Sequence, residues 1–383
     1  MYTRIFLSFI ALFISQKVFS EGLRFECQQA NIATIDSQID QYLSTLNIQN
    51  YLFQKQINGH TLQLTLKKND TSTLYIRWNP DYQINDEIIF LPTAKGQEEV
   101  TTVSKKEIVL ALMQPGRDTV FTGKSCNLEA FKDHIHVRQM IVAWAEHLHW
   151  TFPDGSPAKW NKSYWEEGSL KSGKHLSEAM ADFFINQHTC AFGCYTATKI
   201  VIIQGILDYY QRIKKDEVKA NAIKKALRSD GEVLVNIEPD SMWDSFQHNQ
   251  NGKHNHPGKL LAVKTHVAPL NFIPGDWVYF KNTDAISADI SGYEGSNSIY
   301  MGRARFDDFY DDNGHHFLYN EKLREVYNWR HGVLSRTRDY AKIQPLTSDL
   351  LNTLGLPPQA GGLLLDNRSV PKYFGFEESF EQP

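Results

Sequence analysis

Apolar residues run almost unbroken from residue 5 to residue 14, directly after Arg4. Val18 and Ser20 then stand at the −3 and −1 positions of a small-residue cleavage site, so residues 1–20 are predicted to be a signal peptide. The run is too short to cross a bilayer as a helix, and no later run is long enough. The sequence therefore predicts an exported protein, periplasmic or extracellular, without a membrane span.

Residues 21–130 carry short runs of apolar and polar side chains. Strand-like runs occupy residues 63–68, 74–78 and 87–91, with turn signals between them. This pattern predicts a small β-rich N-terminal domain. It indicates no chemistry, and a pro-domain, a binding module and an extension of the core all remain open.

The period of the apolar pattern changes near residue 131. Helical spacing marks residues 137–149, 177–186 and 194–215, and strand patterns follow at 277–280, 298–301 and 315–319. This order predicts an α+β domain over residues 131–346, in which helices pack on an antiparallel sheet. Residues 347–383 are rich in Pro and Gly and are predicted to be a C-terminal tail on the surface.

Composition narrows the class of partner. With 42% hydrophobic and 12% aromatic residues the chain can bury a core, which excludes global disorder. The formal net charge of −4 gives no electrostatic reason to expect nucleic acid as a partner.

All four cysteines lie beyond residue 20, and in an exported protein they favour disulfides. Cys27 and Cys126 stand at the ends of the N-terminal block, so a bridge between them would close that block and stabilise it by about 4–5 kcal/mol. Cys190 and Cys194 are too close in sequence to close a useful loop. That second pair is the first indication of chemistry.

Cys194 follows a glycine and begins a long apolar helical pattern, which places its thiol at a helix N-terminus. There the helix dipole and the unpaired N–H groups favour thiolate over thiol. The same N–H groups are suited to the oxyanion of a tetrahedral intermediate. A nucleophile also needs a base, and His315 and His316 are candidates on one strand, with side chains on opposite faces. Without a motif, the spacing favours a buried helix-start cysteine or half of a Cys190–Cys194 disulfide, and a polar strand end for the histidine pair.

Several segments resemble the small bacterial protein-glutamine gamma-glutamyltransferases of spore-coat type, a transglutaminase family with a papain-like core. The matching segments, in order, are IVAWAEHLH at 141–149, SYWEEGSL at 163–170, AFGCYTA at 191–197, GDWVYFKN at 275–282, GSNSIYMG at 295–302 and, more loosely, residues 327–340. The resemblance covers roughly residues 135–345. It implies a papain-like fold for the second domain.

The resemblance also implies an activity. Cys194 would attack a glutamine carboxamide and release ammonia, and the thioester would pass to a lysine amine or to water. The substrates would be proteins or peptides that carry glutamine and lysine side chains, and no metal or other cofactor is required. The family histidine falls on the 313–316 stretch, with His315 first because it follows Gly314 and His316 still open.

Two departures from the family leave the third catalytic residue open. The family has a glutamate where this chain has Gly193, and a second glutamate where it has Ser296. Glu294 is a candidate replacement if the strand is shifted, and the Asn297 amide is another candidate to orient the histidine. The alternative for Glu294 is a solvated carboxylate at a strand end.

Further roles are predicted for residues near this candidate site. Trp165 and Trp277 are predicted to flank a channel for the acyl donor. Cys190 is predicted to be a redox latch that caps Cys194 reversibly, with a permanent disulfide and a buried free thiol as alternatives. The histidines of the loop at 243–258 are predicted to be solvated rather than metal ligands.

The sequence as a whole predicts an exported transglutaminase-like cysteine enzyme. Two alternatives stay open. One is a cysteine amidase or peptidase that acts on cell-wall peptides, and the other is a catalytically inactive binding module.

Overall fold

The computed structural model describes residues 22–27, 32–67, 71–153, 156–166, 169–228, 261–265, 267–307, 309–310, 316–334, 339–366 and 368–371. Its α-helices are α1 (Ile32–Thr45), α2 (Lys105–Met113), α3 (Leu128–Glu146), α4 (Leu176–Ile185), α5 (Cys194–Asp208), α6 (Glu217–Arg228), α7 (Ala285–Ala288), α8 (Tyr319–Asn328) and α9 (Ser348–Leu354). Short 3-10 segments lie at Asn50–Leu52, Ile76–Trp78, Pro80–Tyr82, Gly123–Ser125, Gln187–Thr189, Trp329–His331, Tyr340–Lys342 and Pro358–Ala360, and a π-helical turn, Tyr209–Ile213, continues α5.

The strands are β1 (Gly22–Glu26), β2 (Phe53–Asn58), β3 (Thr61–Leu66), β4 (Glu87–Thr93), β5 (Gly96–Thr102), β6 (Asp118–Thr122), β7 (Trp165–Glu166), β8 (Ser169–Leu170), β9 (Leu261–Lys264), β10 (Trp277–Lys281), β11 (Gly295–Ile299), β12 (Arg305–Asp307), β13 (His316–Leu318) and β14 (Arg368–Pro371). They form one four-stranded sheet in the order β2-β3-β1-β6 and a second in the order β11-β10-β14-β9. The second sheet is antiparallel throughout. Three two-stranded sheets, β4-β5, β7-β8 and β12-β13, complete the set in the described residues.

Helix α5 is the apolar centre of the second block. All of its residues from Tyr195 to Asp208 are buried, as expected of a helix that is hydrophobic on every side. It crosses α3 so closely that a Cβ at Gly205 would lie 2.6 Å from the side chain of Ile141 and 2.8 Å from its backbone. The predicted α+β architecture, with helices packed on an antiparallel sheet, is confirmed.

The N-terminal block is less purely β than its sequence pattern predicts. It contains α1 and α2 beside its strands, and residues 74–78, predicted to be a strand, form a turn and the 3-10 segment Ile76–Trp78. The predicted boundary at residues 130/131 falls inside α3, and one hydrophobic core cluster extends from Leu23 to Leu364. The predicted Cys27–Cys126 disulfide is present, with 5.5 Å between the two Cα atoms.

A buried charged cluster joins the N-terminal block to the second sheet. Asp276, which directly precedes β10, accepts hydrogen bonds from Arg117 at 2.6 and 3.0 Å and from Arg138 of α3 at 2.9 Å. Burial raises the pKa of the Asp276 carboxyl, but the two arginines outweigh burial and hold it below its usual value. Arg138 also donates to Nε2 of His134 at 2.9 Å. We call Arg117, His134, Arg138 and Asp276 the charged cluster.

In the described part of the chain, no helix is long and apolar enough to cross a membrane.

Candidate active site

Cys194 is the first residue of α5, as the sequence predicts. Gly193 is its N-cap, with extended backbone (φ −71°, ψ 165°). The chain that leads into the helix is fixed by paired backbone hydrogen bonds between Ala191 and Lys159, and Phe192 O accepts a hydrogen bond from the Tyr310 hydroxyl at 2.9 Å. The thiol is therefore held at the positive end of the helix dipole, half-buried rather than enclosed.

The sulfur of Cys194 faces strand β11. The backbone N–H of Asn297 donates to Sγ at 3.3 Å, and Nδ2 of the same residue donates at 3.4 Å. The thiol in turn lies 4.0 Å from the carbonyl oxygen of Gly295. Two N–H donors on one sulfur favour the thiolate, because a charged acceptor gains more from each donor than a neutral one does.

Strand alternation explains why Asn297, and not Ser296, meets the thiol. Gly295 and Asn297 point to the face of β11 that packs against α5, and Ser296 points to the other face, on the side of its cross-strand partner Phe280. Position 295 requires glycine, because a Cβ there would collide with the phenol ring of Tyr279. Tyr279 is in turn the cross-strand partner of Asn297.

Trp277 belongs to the same constellation. Its indole Nε1–H donates to Oδ1 of Asn297 at 2.9 Å, and its ring packs edge to face on Tyr195, 5.1 Å between centroids. Its side chain is completely buried. Trp277 therefore contacts Asn297 from inside the core, and its role beside a substrate channel stays a prediction.

Trp165, the other predicted channel residue, is also buried. It lies in β7 and stacks on Phe183 of α4, with 5.2 Å between ring centroids and 1% of its surface exposed. The Trp165 ring is thus enclosed in the structure, and its role beside a substrate channel stays a prediction. A tryptophan in a segment that resembles the family need not be exposed, because large aromatic side chains often fill cores.

Of the two candidate bases, His315 and His316, the structure describes only His316. His315 lies outside the described residues. His316 begins β13, where it pairs with Asp307 of β12. Burial lowers the pKa of His316, and Arg305 and Arg303 lower it further, which favours the neutral imidazole.

A buried carboxylate that the sequence analysis did not single out is Asp307. Phe306 pairs with Tyr300 and packs on Phe280, so the next residue, Asp307, points to the opposite face, which also carries Asn297. It is completely buried, and its Oδ1 accepts the N–H of Phe309 at 2.8 Å. The signal available in the sequence was an aspartate inside an aromatic strand pattern.

The role of Glu294 as a replacement for a missing family glutamate stays a prediction. Glu294 precedes β11, and its carboxylate accepts the N–H of Gly292 at 3.0 Å within the preceding turn. A Cβ built on Gly193 meets nothing within 4 Å, so a larger residue would fit there. Glycine before the cysteine is therefore not imposed by space.

Neither Cys190 nor Cys194 forms a disulfide in the structure; Cys190 is buried and Cys194 is half-buried. The sulfur of Cys190 lies 3.8 Å from the carbonyl oxygen of Asn186, within its own loop. Burial raises the pKa of the Cys190 thiol to about 11, so it is a thiol at neutral pH. In this structure the predicted latch is open.

Among the described residues, no group of three or more His, Cys, Asp or Glu side chains is arranged to hold a metal ion. The histidines at 248, 254 and 256 lie outside the described residues. The chemistry available at the thiol is that of a nucleophile with N–H donors around its sulfur.

Comparison with known proteins gives a family. The family model described as protein-glutamine gamma-glutamyltransferase matches residues 82–314, more than half of the chain. The match starts within the N-terminal block, earlier than the segments that carry the resemblance in sequence. A search of curated protein sequences gave no significant match.

A search of solved structures found a transglutaminase from Geobacillus stearothermophilus (without its C-terminal extension). The identity is 18% and the TM-score 0.41, over 65% of this chain and 96% of that one.

Proposed function

We propose that this chain, which belongs to the protein-glutamine gamma-glutamyltransferase family, is an exported enzyme whose Cys194 transfers the acyl group of a glutamine side chain. The Cys194 sulfur attacks the carboxamide carbon and forms a C–S bond. The C–N bond breaks, and ammonia leaves with the proton that the base removed from the thiol. A lysine amine then attacks the thioester to give an isopeptide bond, or water attacks it to give glutamate; in either case the C–S bond breaks and the nucleophile's proton returns through the base to the Cys194 sulfur.

The observation that carries this proposal is the setting of the Cys194 sulfur. It lies at the N-terminus of α5, half-exposed, with the backbone and side-chain N–H groups of Asn297 at 3.3 and 3.4 Å. The helix dipole and these donors all favour thiolate, which is the form that attacks. The acyltransferase type follows from the family, and the choice of glutamine and lysine as substrates is the finer part of the proposal.

The base is proposed to be a histidine of the pair 315–316. His315 is placed first, because it follows Gly314 where the resemblance places the family histidine. The charged groups that act on His316 are Arg305, Arg303 and Glu321, on the side of β12 and α8. We expect His315→Ala to lower kcat by about 10²–10⁴-fold, and His316→Ala to lower it less. The reverse order would assign the base to His316.

The test of the reaction is incorporation of a fluorescent primary amine into a glutamine-containing donor protein, with ammonia release measured in parallel. We expect both products from the mature protein and neither from Cys194→Ala. Lysine added as a competitor should reduce fluorescence without reducing ammonia. This separates transfer from labelling of an unrelated carboxyl group.

The other outcomes distinguish the alternatives. Ammonia without amine incorporation would indicate a deamidase. Cleavage of cell-wall peptides by a Cys194-dependent reaction, without ammonia from glutamine, would indicate an amidase or peptidase. A slow, ordinary thiol with none of these activities would indicate a binding module and contradict the proposal.

Export is proposed from the signal-like residues 1–20, which lie outside the described residues. The Cys27–Cys126 disulfide supports it, because such bonds persist in oxidising compartments. Mass spectrometry of the secreted or periplasmic protein should find Glu21 as the first residue. A cytoplasmic protein that retains Met1 would contradict export and leave the chemistry untouched.

A further inference from the structure

The amide of Asn297 is held between two groups of different chemistry. Its Oδ1 lies 2.9 Å from the indole Nε1 of Trp277, and its Nδ2 lies 3.4 Å from the sulfur of Cys194. An indole nitrogen can donate a hydrogen bond but cannot accept one. Trp277 therefore requires the oxygen end of the amide on its side, which turns the NH₂ end toward the sulfur.

We propose that Trp277 is a positioning residue that fixes the orientation of the Asn297 amide, so that this amide donates to the Cys194 sulfur and favours the thiolate. This inference rests on Cys194 as the nucleophile. It goes beyond the proposed reaction because it assigns a role to Trp277, whose hydrogen bond is made to Asn297 and not to the sulfur.

The alternative amide orientation shows why the position matters. A flipped Asn297 would place its carbonyl oxygen against the sulfur and its NH₂ group against the indole N–H. An oxygen dipole beside the sulfur destabilises a thiolate, and two facing N–H donors leave both without an acceptor. The indole thus selects the orientation that activates the thiol. Burial sharpens the selection, because Trp277 is completely and Asn297 almost completely enclosed.

The helix and strands that carry the site, and the strands beside them, bear further titratable groups. Helix α5 contributes Tyr195 and Lys199, whose Nζ lies 5.2 Å from the Tyr195 ring centroid. Strand β10 contributes Tyr279, β12 contributes Asp307, and β13 contributes His316. These groups are the same in every variant below, so a difference between variants isolates the Trp277–Asn297 contribution.

The experiment is the rate of Cys194 alkylation by iodoacetamide as a function of pH, quantified on the peptide that contains Cys194. The midpoint of this profile is the thiol pKa, and no glutamine substrate is needed. We expect the pKa to rise by about one unit in Asn297→Leu, which removes the side-chain donor at similar volume. We expect a rise of about half a unit in Trp277→Phe, which keeps the aromatic packing on Tyr195 and removes the N–H.

A double-variant cycle separates positioning from packing. If Trp277 acts through Asn297, then Trp277→Phe should have no further effect on the thiol pKa in the Asn297→Leu background. Trp144→Phe is the matched control, because it also removes a buried indole N–H, here bonded to Asp208 at 3.0 Å, in a different part of the core. It should reduce stability without moving the alkylation profile.

Asn297→Asp keeps the proposal testable if a tryptophan variant fails to fold. The carboxylate still accepts the Trp277 N–H but presents an oxygen to the sulfur, so the thiol pKa should rise further than in Asn297→Leu. A wild-type alkylation profile in folded Trp277→Phe, or an equal shift in the presence and absence of Asn297, would overturn the inference. A normal profile in an enzyme without amine incorporation would instead contradict the proposed reaction alone.

Discussion

Two polar clusters of opposite character meet at neighbouring residues of the chain. Asp276 belongs to the charged cluster, and the next residue, Trp277, belongs to the site that holds Cys194. In the charged cluster both arginines and the carboxylate are almost completely enclosed. At the thiol, Trp277 donates to Asn297 and Asn297 donates to Cys194. Both donors are neutral and enclosed, and the cysteine is half-buried.

The difference shows how one strand start supports both stability and chemistry. Arg117 and Asp276 are 159 residues apart in sequence, so their ion pair ties the N-terminal block to the second sheet. The Arg117 and Arg138 guanidinium groups donate to acceptors inside the protein, namely the Asp276 carboxylate, His134 and the Pro274 carbonyl. The thiol site directs neutral donors at the sulfur of a half-buried cysteine. We therefore expect changes in the first cluster to alter stability and changes in the second to alter reactivity.

The largest effect is expected from Asp276→Asn. The substitution removes the negative charge and leaves Arg117 and Arg138 buried and uncompensated, which should lower the free energy of unfolding by about 3–5 kcal/mol. Urea denaturation followed by circular dichroism measures this loss. The alkylation pKa of Cys194 in the folded variant should change little, because the thiol donors are untouched.

Asp289→Asn is the matched control for that substitution. Asp289 is exposed and lies in the same part of the chain, after α7. Its substitution should change the free energy of unfolding by less than about 0.5 kcal/mol. Equal denaturation midpoints for the two variants would show that the charged cluster does not stabilise the fold.

A smaller effect is expected from His134, which gives the charged cluster a pH dependence. Burial, together with Arg138 and Arg117, holds the pKa of His134 well below its usual value, so the neutral ring accepts the Arg138 N–H. Its contribution to stability is fully present above the unfolded pKa of about 6.5 and is lost as the pH falls below it. The slope should be about 1.4 kcal/mol per pH unit until the folded pKa is reached.

His134→Gln tests this slope, because a glutamine oxygen can accept the same hydrogen bond and does not titrate. Denaturation midpoints at pH 7, 6 and 5 should fall more steeply in the wild type than in the variant. His136 and His147 also have lowered pKa values, and they are present in both proteins. Parallel curves for the two proteins would remove His134 as the source of acid sensitivity.

The sequence predicted the position of Cys194 at a helix start but not the charged cluster, because only the first depends on residues that are adjacent in the chain. A cysteine after a glycine and before an apolar helix is a local pattern, and the Asn297 segment was identified through the resemblance. The sequence predicts Trp277 beside a channel for the acyl donor, and its hydrogen bond to Asn297 on the neighbouring strand is not encoded by any local pattern. Arg117, Arg138 and Asp276 are scattered, and their meeting depends on tertiary structure that no local period encodes.

The same distinction applies to the fold. The long apolar pattern after Cys194 predicts a helix, and the structure has α5 there. The pattern is apolar throughout because every face of that helix is buried. Residues 74–78 have strand-like composition, yet Thr73 anchors this segment by donating its hydroxyl to the Phe272 carbonyl and accepting the Phe272 N–H at 2.6 Å. Contacts with a residue about two hundred positions away override the local preference.

The smallest effect is expected at Cys190, which sharpens the comparison within one loop. Native protein should react quickly with a thiol reagent at one cysteine, Cys194, and at Cys190 only after unfolding, because burial keeps Cys190 a thiol. Cys190→Ser should leave amine incorporation under reducing conditions within about twofold of the wild type, since the hydrogen-bond contact of its sulfur lies within its own loop.

The predicted latch is tested by oxidation. Mild oxidation should block Cys194 reversibly in the wild type and not in Cys190→Ser. If oxidised wild type yields no Cys190–Cys194 disulfide peptide and keeps its activity, Cys190 is a buried core thiol, and the contrast with Cys194 is set by burial alone.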